Sequence, residues 1–197
     1  MSSIKLTADS GGGTFEIKAP SSGSNARILT VPDTASGTVL TTTSPKTGNI
    51  IQVVSASTQT GASQNFSAGS TFADTGLSAS ITPTATSSKI FVTGYISWYI
   101  SSSANGSKEW NFAVCDGSDN ILDSTDANTQ GYRVNELYNN GGKHPINFLH
   151  SPSTTSSFTY KIRMNAHTTN NSGSALVCQR NGTANNTSRI ILMEVAG

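Results

Sequence analysis

Charged residues are scarce in this sequence: Asp, Glu, Lys and Arg make up 12% of the 197 residues, and the formal net charge is +1. Proteins that bind a phosphate backbone carry a basic stripe, so we expect no nucleic acid partner. No stretch is apolar enough to span a membrane, and the N-terminus from Met1 to Lys5 lacks the apolar core of a signal peptide. We therefore expect no membrane insertion, and synthesis in a cytosol.

Cysteine and histidine are also rare, which limits metal binding and nucleophilic chemistry. The two cysteines, Cys115 and Cys178, lie far apart in strand-like runs, and proteins made in a cytosol rarely form disulfides. We expect both to be buried free thiols. The three histidines, His144, His150 and His167, have no metal-ligand spacing. We therefore expect ordinary strand or surface histidines, no cofactor and no metal.

Helical periodicity is almost absent, because Gly, Pro and clusters of Ser and Thr interrupt every stretch of about a dozen residues. Strand patterns take its place, and the clearest one runs from Lys89 to Ile100. Its alternating side chains predict an aliphatic core face and an aromatic, hydroxyl-rich second face. The first face contains Ile90, Val92, Ile96, Trp98 and Ile100, and the second contains Phe91, Thr93, Tyr95, Ser97 and Tyr99.

About eight or nine strands are predicted after residue 48, each bounded by Gly, Asn, Ser or Pro, as in a β-sandwich. In Phe158–Met164 the alternation places apolar residues inward and Lys161 and Arg163 outward. The predicted fold class is therefore all-β. Besides Lys89–Ile100, the predicted strands are Asn49–Ser55, Leu77–Thr82, Trp110–Cys115, Arg133–Tyr138, Ile146–His150, Phe158–Ala166, Ala175–Arg180 and Arg189–Val195.

The N-terminal residues 1–43 show a different sequence pattern, in which very short strand-like runs are separated by Gly, Ser and Pro. Such short strands cannot enclose a core alone, whereas three chains wound around one axis could. We predict a stalk over 1–43, a linker over 44–48 and a head domain over 49–197. The predicted stalk strands are Ile4–Thr7, Thr14–Ala19, Ala26–Val31 and Thr38–Thr42.

Apolar residues are few for a monomer of this size, since only 35% of the chain is hydrophobic. Chains that bury too little surface alone often gain stability by association. We therefore expect the chain to associate with copies of itself.

The N-terminal segments Thr14–Pro20, Ile28–Asp33 and Gly37–Thr42 resemble repeated segments of tailed-bacteriophage fibre and appendage proteins. The stretch from Phe72 to Pro83 and on into Ser87–Val92 looks like the start of jelly-roll heads on marine and cyanobacterial phage virion proteins. Those heads are similar to the trimeric tumour-necrosis-factor and C1q fold. The resemblance implies a homotrimer located on a virion, with an N-terminal β-prism stalk that docks on the particle and a jelly-roll head.

The aromatic face of the longest strand is the candidate trimer interface. Phe91, Tyr95 and Tyr99 share that face, and aromatic rings bury large areas at interfaces. The alternative is an ordinary core with apolar residues on both sides of the sheet.

The segment Asp123–Lys143 is long and polar, and long loops on a rigid scaffold commonly carry binding. Its candidate receptor contacts are Tyr132, Arg133, Tyr138 and Asn139. A solvated loop with incidental tyrosines explains the same residues equally well.

Four aspartates, Asp116, Asp119, Asp123 and Asp126, lie close together in sequence. Carboxylates at short spacing suit Ca²⁺, but the spacing is not that of an EF-hand, and Asp-Gly-Ser-Asp-Asn is also turn chemistry. We favour a turn and leave Ca²⁺ binding as the alternative.

The leading functional prediction is a non-enzymatic phage appendage, a tail or head fibre that docks on the particle and contacts the host surface. Its expected partners are copies of itself, other virion proteins such as tail, portal-proximal or major capsid proteins, and a host-surface glycan or protein. The alternative is a capsid decoration or cement protein that stabilises the head. A polysaccharide depolymerase ranks third, because the paired carboxylates of a glycosidase need a sugar cleft on a large scaffold and this head is small.

Overall fold

The computed structural model of the chain describes residues 3–7, 11, 14–18, 45–65, 67, 71–101, 108–124, 140–167, 174–179 and 186–197. The chain divides into two compact units, Met1–Val39 and Leu40–Gly197. The finer boundaries predicted for stalk, linker and head stay predictions.

The first unit contains an antiparallel hairpin of β1 (Ser3–Thr7) and β2 (Thr14–Lys18). In its register Ile4 is opposite Ile17 and Leu6 is opposite Phe15. The other two predicted stalk strands lie outside the described residues. The β-prism stays a prediction.

The second unit is a sandwich of two antiparallel sheets, and none of its described residues forms an α-helix. The prediction of an all-β sandwich is therefore confirmed. Its strands are β3 (Ile50–Thr58), β4 (Ala62–Asn65), β5 (Ala73–Ile81), β6 (Lys89–Ser101), β7 (Glu109–Cys115), β8 (Ile121–Ser124), β9 (Asn140–His150), β10 (Phe158–His167), β11 (Ala175–Cys178) and β12 (Ser188–Val195).

The strand order of the second unit is that of a jelly roll. One sheet has the order β5-β10-β7-β8, and the other contains β3, β12, β6, β9, β11 and β4. Apart from the short strands β4 and β11, the described strands pair first with last, second with seventh, third with sixth and fourth with fifth. This nested antiparallel pairing rolls one long hairpin into two facing sheets.

The hydrophobic core fills the space between the two sheets. On β6 the predicted alternation is confirmed, since Ile90, Val92, Ile96 and Ile100 are buried and Trp98 packs against them. On β10 the residues that were predicted to point inward face the same core. The buried members from β10 are Tyr160, Ile162, Met164 and Ala166.

The predicted strand at Ile146–His150 is considerably longer in the structure, because β9 already begins at Asn140. Gly141, Gly142 and Pro145 normally break a strand. Among the described strands β9 pairs with β6 alone, and proline is tolerated on an edge strand. The short strands β4 and β8 were not predicted, and the predicted strand Arg133–Tyr138 lies outside the described residues.

A buried carboxylate joins the last strand to the loop between β5 and β6. Glu194 is fully buried and accepts hydrogen bonds from Gln52 Nε2, from the backbone and hydroxyl of Thr84, and from Ser88 Oγ, at 2.6 to 2.7 Å. Burial acts to raise the pKa of Glu194, but these hydrogen bonds together hold it below its ordinary value. The charged form is therefore part of the folded structure.

Candidate functional site on the outer face of the six-stranded sheet

The outer face of the sheet that contains β6 gathers the predicted interface aromatics. Phe91, Tyr95 and Tyr99 alternate with the buried core residues of β6 and are half-buried. The predicted sharing of one face is therefore confirmed. Their role in a trimer interface stays a prediction.

Strand register places Phe91 in a row of four apolar side chains, here called the apolar row. Met193 of β12 is opposite both Val53 of β3 and Phe91 of β6, and Phe91 is opposite Leu149 of β9. Val53 is 57% exposed and Leu149 is 53% exposed. The row therefore presents apolar surface across the full width of four strands.

The apolar surface extends beyond the row at its β3 edge. A β-bulge places Ile50 opposite Val195, and Ile50 is 58% exposed. Within the described residues, the large exposed hydrophobic side chains are Ile50, Val53, Ile121 and Leu149. Three of these four lie on this one face. Exposed apolar residues scattered singly over a protein surface need no explanation, whereas a cluster on one face marks a contact site.

The charges on this face are all positive among the described residues. Lys89, Lys143 and Arg189 point outward from β6, β9 and β12, and the acidic Glu194 points inward. The four-stranded sheet and its turns carry both signs, since Asp74, Asp119 and Asp123 lie there together with Lys161 and Arg163 of β10. The outer face of the six-stranded sheet is therefore the more uniformly charged of the two.

A small open pocket lies at the Tyr99 end of the face. It has a volume of about 260 Å³ and is lined by Trp98, Tyr99, Gly141, Lys143 and Asn186, with Ser97 and Gly142. The ammonium of Lys143 lies 4.4 Å from the centre of the Tyr95 ring, a cation–π contact that fixes its position at the rim. Ser97, the lining residue of β6 nearest the row, is six positions from Phe91, so the pocket begins about 20 Å from the apolar row.

The aspartate cluster forms a turn between β7 and β8. Asp116 Oδ1 accepts hydrogen bonds from the backbone N–H groups of Ser118 and Asn120. The Asn120 side-chain amide donates a further bond of 2.8 Å to Asp116 Oδ2, and this bond, followed by the two backbone bonds, lowers the pKa of Asp116. Asp119 accepts a bond of 3.0 Å from Lys161 and lies 3.6 Å from Arg163. The turn prediction is confirmed, and Asp126 lies outside the described residues.

No group of three or more His, Cys, Asp or Glu side chains within the described ranges is placed to hold a metal. His150 Nδ1 lies 2.9 Å from Tyr160 Oη, and its ring centre lies 5.8 Å from that of Phe148 and 5.2 Å from that of Phe158. His144 lies 5.1 Å from the Phe112 ring. Burial lowers the pKa of both histidines, as expected for strand histidines beside a core, and His167 ends β10.

Both cysteines are free and buried, which confirms their prediction. Cys178 Sγ lies 3.4 Å from Met164 Sδ in the core. Burial raises the pKa of Cys178 to about 12 and also raises that of Cys115. Neither thiol is therefore suited to act as a nucleophile.

The candidate receptor contacts Tyr132, Arg133, Tyr138 and Asn139 lie outside the described residues, so receptor contact by this loop stays a prediction. Nor does the described part of the chain contain a helix with the length and hydropathy to cross a bilayer.

Five members of this apolar surface, Ile50, Val53, Leu149, Met193 and Val195, were missed from the sequence. One signal was present: Ile190–Met193 is a continuous apolar run, which is typical of a strand with apolar contacts on both faces. The alternation in Asn49–Ser55 gave no comparable signal. The row itself depends on register between distant strands.

No protein-family model and no curated protein matches the sequence. Among solved structures, the fold is similar to that of infectious bursal disease virus, Gx strain, with a TM-score of 0.42 and 10% identity over 98% of this chain and 40% of the other. The T13 particle of that virus gives 0.40 and 12%, over 94% and 42%. Its VP2 subviral particle gives 0.38 and 10%, over 93% and 47%. The chain thus spans less than half the length of these viral proteins, and TM-scores this low give no basis for inferring function.

Proposed function

We propose that this protein is a non-enzymatic structural component of a tailed-phage particle and that its jelly-roll head associates as a homotrimer through the apolar row. The observation that carries the proposal is the concentration of exposed apolar side chains on one face of one sheet. Monomeric proteins rarely leave such side chains contiguous and exposed. A second copy of the chain supplies the missing burial.

The energetic gain from covering the row is substantial. Fully burying one large aliphatic or aromatic side chain is worth about 1.5–3 kcal/mol, and the row contributes four such side chains from each protomer. Val53 and Leu149 still expose more than half of their surface. Covering them therefore adds burial that the isolated head lacks, which agrees with the low apolar content of the sequence.

The charge pattern favours a cyclic trimer over a twofold dimer. A twofold contact joins a patch to itself, which would bring the cations Lys89, Lys143 and Arg189 of two copies toward each other. A threefold ring joins two different surfaces of neighbouring copies, so the cations of one copy do not face those of the next.

The location on a particle rests on the resemblance of the N-terminal segments to phage appendage proteins. In this proposal the N-terminal unit docks on the virion and the head faces outward to contact the host surface. The centre of the interface is the apolar row with Phe91, Tyr95 lies at its margin, and Tyr99 lies beyond it.

Light scattering on the full chain tests the assembly, with an expected mass close to three times 20.5 kDa. Val53→Glu and Leu149→Glu should both yield monomers. Ile121→Glu is the matched control, because Ile121 is 51% exposed on the other sheet and should leave the trimer intact. A wild-type monomer at micromolar concentration, or equal dissociation by all three variants, would refute the interface.

Labelling intact particles with an antibody against the chain tests the location. Label at the tail or at protruding fibres is expected. Label over the capsid surface, with loss of heat stability in particles lacking the protein, would replace the fibre with a cement protein. Release of reducing ends from host polysaccharide by the purified chain would overturn the non-enzymatic assignment.

A further inference from the structure

The pocket at the Tyr99 end of the outer face lies outside the proposed interface. Its distance of about 20 Å from the apolar row, along the strand direction, leaves room for a ligand beside an assembled seam. Its volume of about 260 Å³ is just below the range of about 300–1,000 Å³ that holds drug-sized ligands. A pocket of this size suits one small ring.

The pocket combines flat apolar walls with a few polar groups. Tyr99 supplies aromatic surface on the outer face, Trp98 lines the pocket from the core side of the strand, and Asn186 supplies a carboxamide that can both donate and accept hydrogen bonds. Gly141 of β9 leaves the Tyr99 ring uncovered. A Cβ at this position would lie 3.2 Å from Tyr99 Cδ2. A ligand with an apolar face and a hydroxylated edge matches such a surface.

Lys143 adds a fixed positive charge to the rim. Its ammonium is positioned by the Tyr95 ring, 4.4 Å from the ring centre, and no carboxylate in the described part of the chain forms an ion pair with it. Lysine offers a compact point charge with donors that rotate toward an anion. One such cation fits one carboxylate, whereas a polyanion would need a row of cations.

We infer that this pocket binds a single acidic sugar, a pyranose ring that carries a carboxylate, as found in a surface polysaccharide. The Tyr99 ring receives the C–H face of the sugar, Asn186 bonds its hydroxyls, and Lys143 pairs with the carboxylate. The inference rests on the host-contact part of the proposed function and names the chemistry of that contact.

Sodium glucuronate and glucose are a matched pair of probes, because they share the ring and differ in the carboxylate. Saturation-transfer NMR on the full chain should show saturable binding of glucuronate in the millimolar range and weaker binding of glucose. Lys143→Gln should lower glucuronate affinity roughly fivefold, toward that of glucose, since an exposed ion pair contributes about that much. Lys89→Gln, on the same face but at its apolar end, should leave the affinity unchanged.

Three results would overturn the inference: no saturable glucuronate binding, unchanged affinity in Lys143→Gln, or an equal loss in Lys89→Gln, which would indicate general charge attraction. Light scattering on the same samples separates this failure from that of the proposed function. A trimer that fails to bind refutes the pocket alone, whereas a monomer refutes the interface, whatever the pocket binds.

Discussion

Ser88 Oγ donates a hydrogen bond of 2.6 Å to Glu194 Oε1 across 106 positions of sequence, and both residues are buried. Together with the bonds from Gln52 and Thr84, it holds the final strand, the loop after β5 and the edge strand β3 at one point. This carboxylate is therefore the clearest source of pH-dependent stability in the described residues.

We expect the head to lose stability in acid through Glu194. Because its pKa is lowered in the folded state, its contribution is present above the unfolded value of about 4.3 and is lost as pH falls through the folded value. Glu194→Gln should cost about 2–4 kcal/mol at pH 7. In urea unfolding, the difference in the free energy of unfolding between wild type and Glu194→Gln should shrink below pH 4. The exposed control Asp123→Asn should change the free energy of unfolding little at either pH.

Gly94 should not tolerate a side chain. Its φ is +151°, and a Cβ at this position would lie 2.1 Å from the backbone oxygen of Arg189 on β12. Gly94→Ala must push β6 from β12, so we expect a loss of at least about 2 kcal/mol and a melting temperature lower by about 4–8 °C. Gly76 also has positive φ but open space around it. A Gly76→Ala loss as large as that of Gly94→Ala would contradict the steric argument.

The proposed interface predicts a graded response to charge along β6. Phe91→Arg places an unpaired charge at the centre of the apolar row and should weaken association by several kcal/mol. Tyr95→Arg lies nearer the margin and should weaken it less. Trimer dissociation followed by light scattering over a dilution series gives the ranking, and the reverse order would move the centre of the interface toward Tyr95.

The thiols should be inert while the protein is folded. Cys115 and Cys178 are buried, and burial disfavours the reactive thiolate. A thiol reagent should modify the native protein slowly and both cysteines rapidly in denaturant. The melting temperature should be the same with and without reductant, and a clear drop on reduction would contradict the assignment.

Much of the fold follows from local sequence patterns, but the candidate site does not. The alternation in Lys89–Ile100 predicts β6 and its two faces, because burial on one side selects the pattern directly. Ala62–Asn65 carries no such signal. The apolar row requires Val53, Phe91, Leu149 and Met193 to align, and that register is set by pairing between strands far apart in sequence.

The pairing of the first and last strands of the head, β3 and β12, brings the two ends of its chain together. Gly48 donates a hydrogen bond of 2.8 Å to the carbonyl of Ala196, and Ala196 donates one of 2.8 Å to Asn49. A short peptide could therefore join these ends without disturbing a sheet, and a new opening could be placed in a turn such as Asp116–Asn120. Circular permutation of the head would therefore change where its chain begins while preserving every strand pair of the jelly roll.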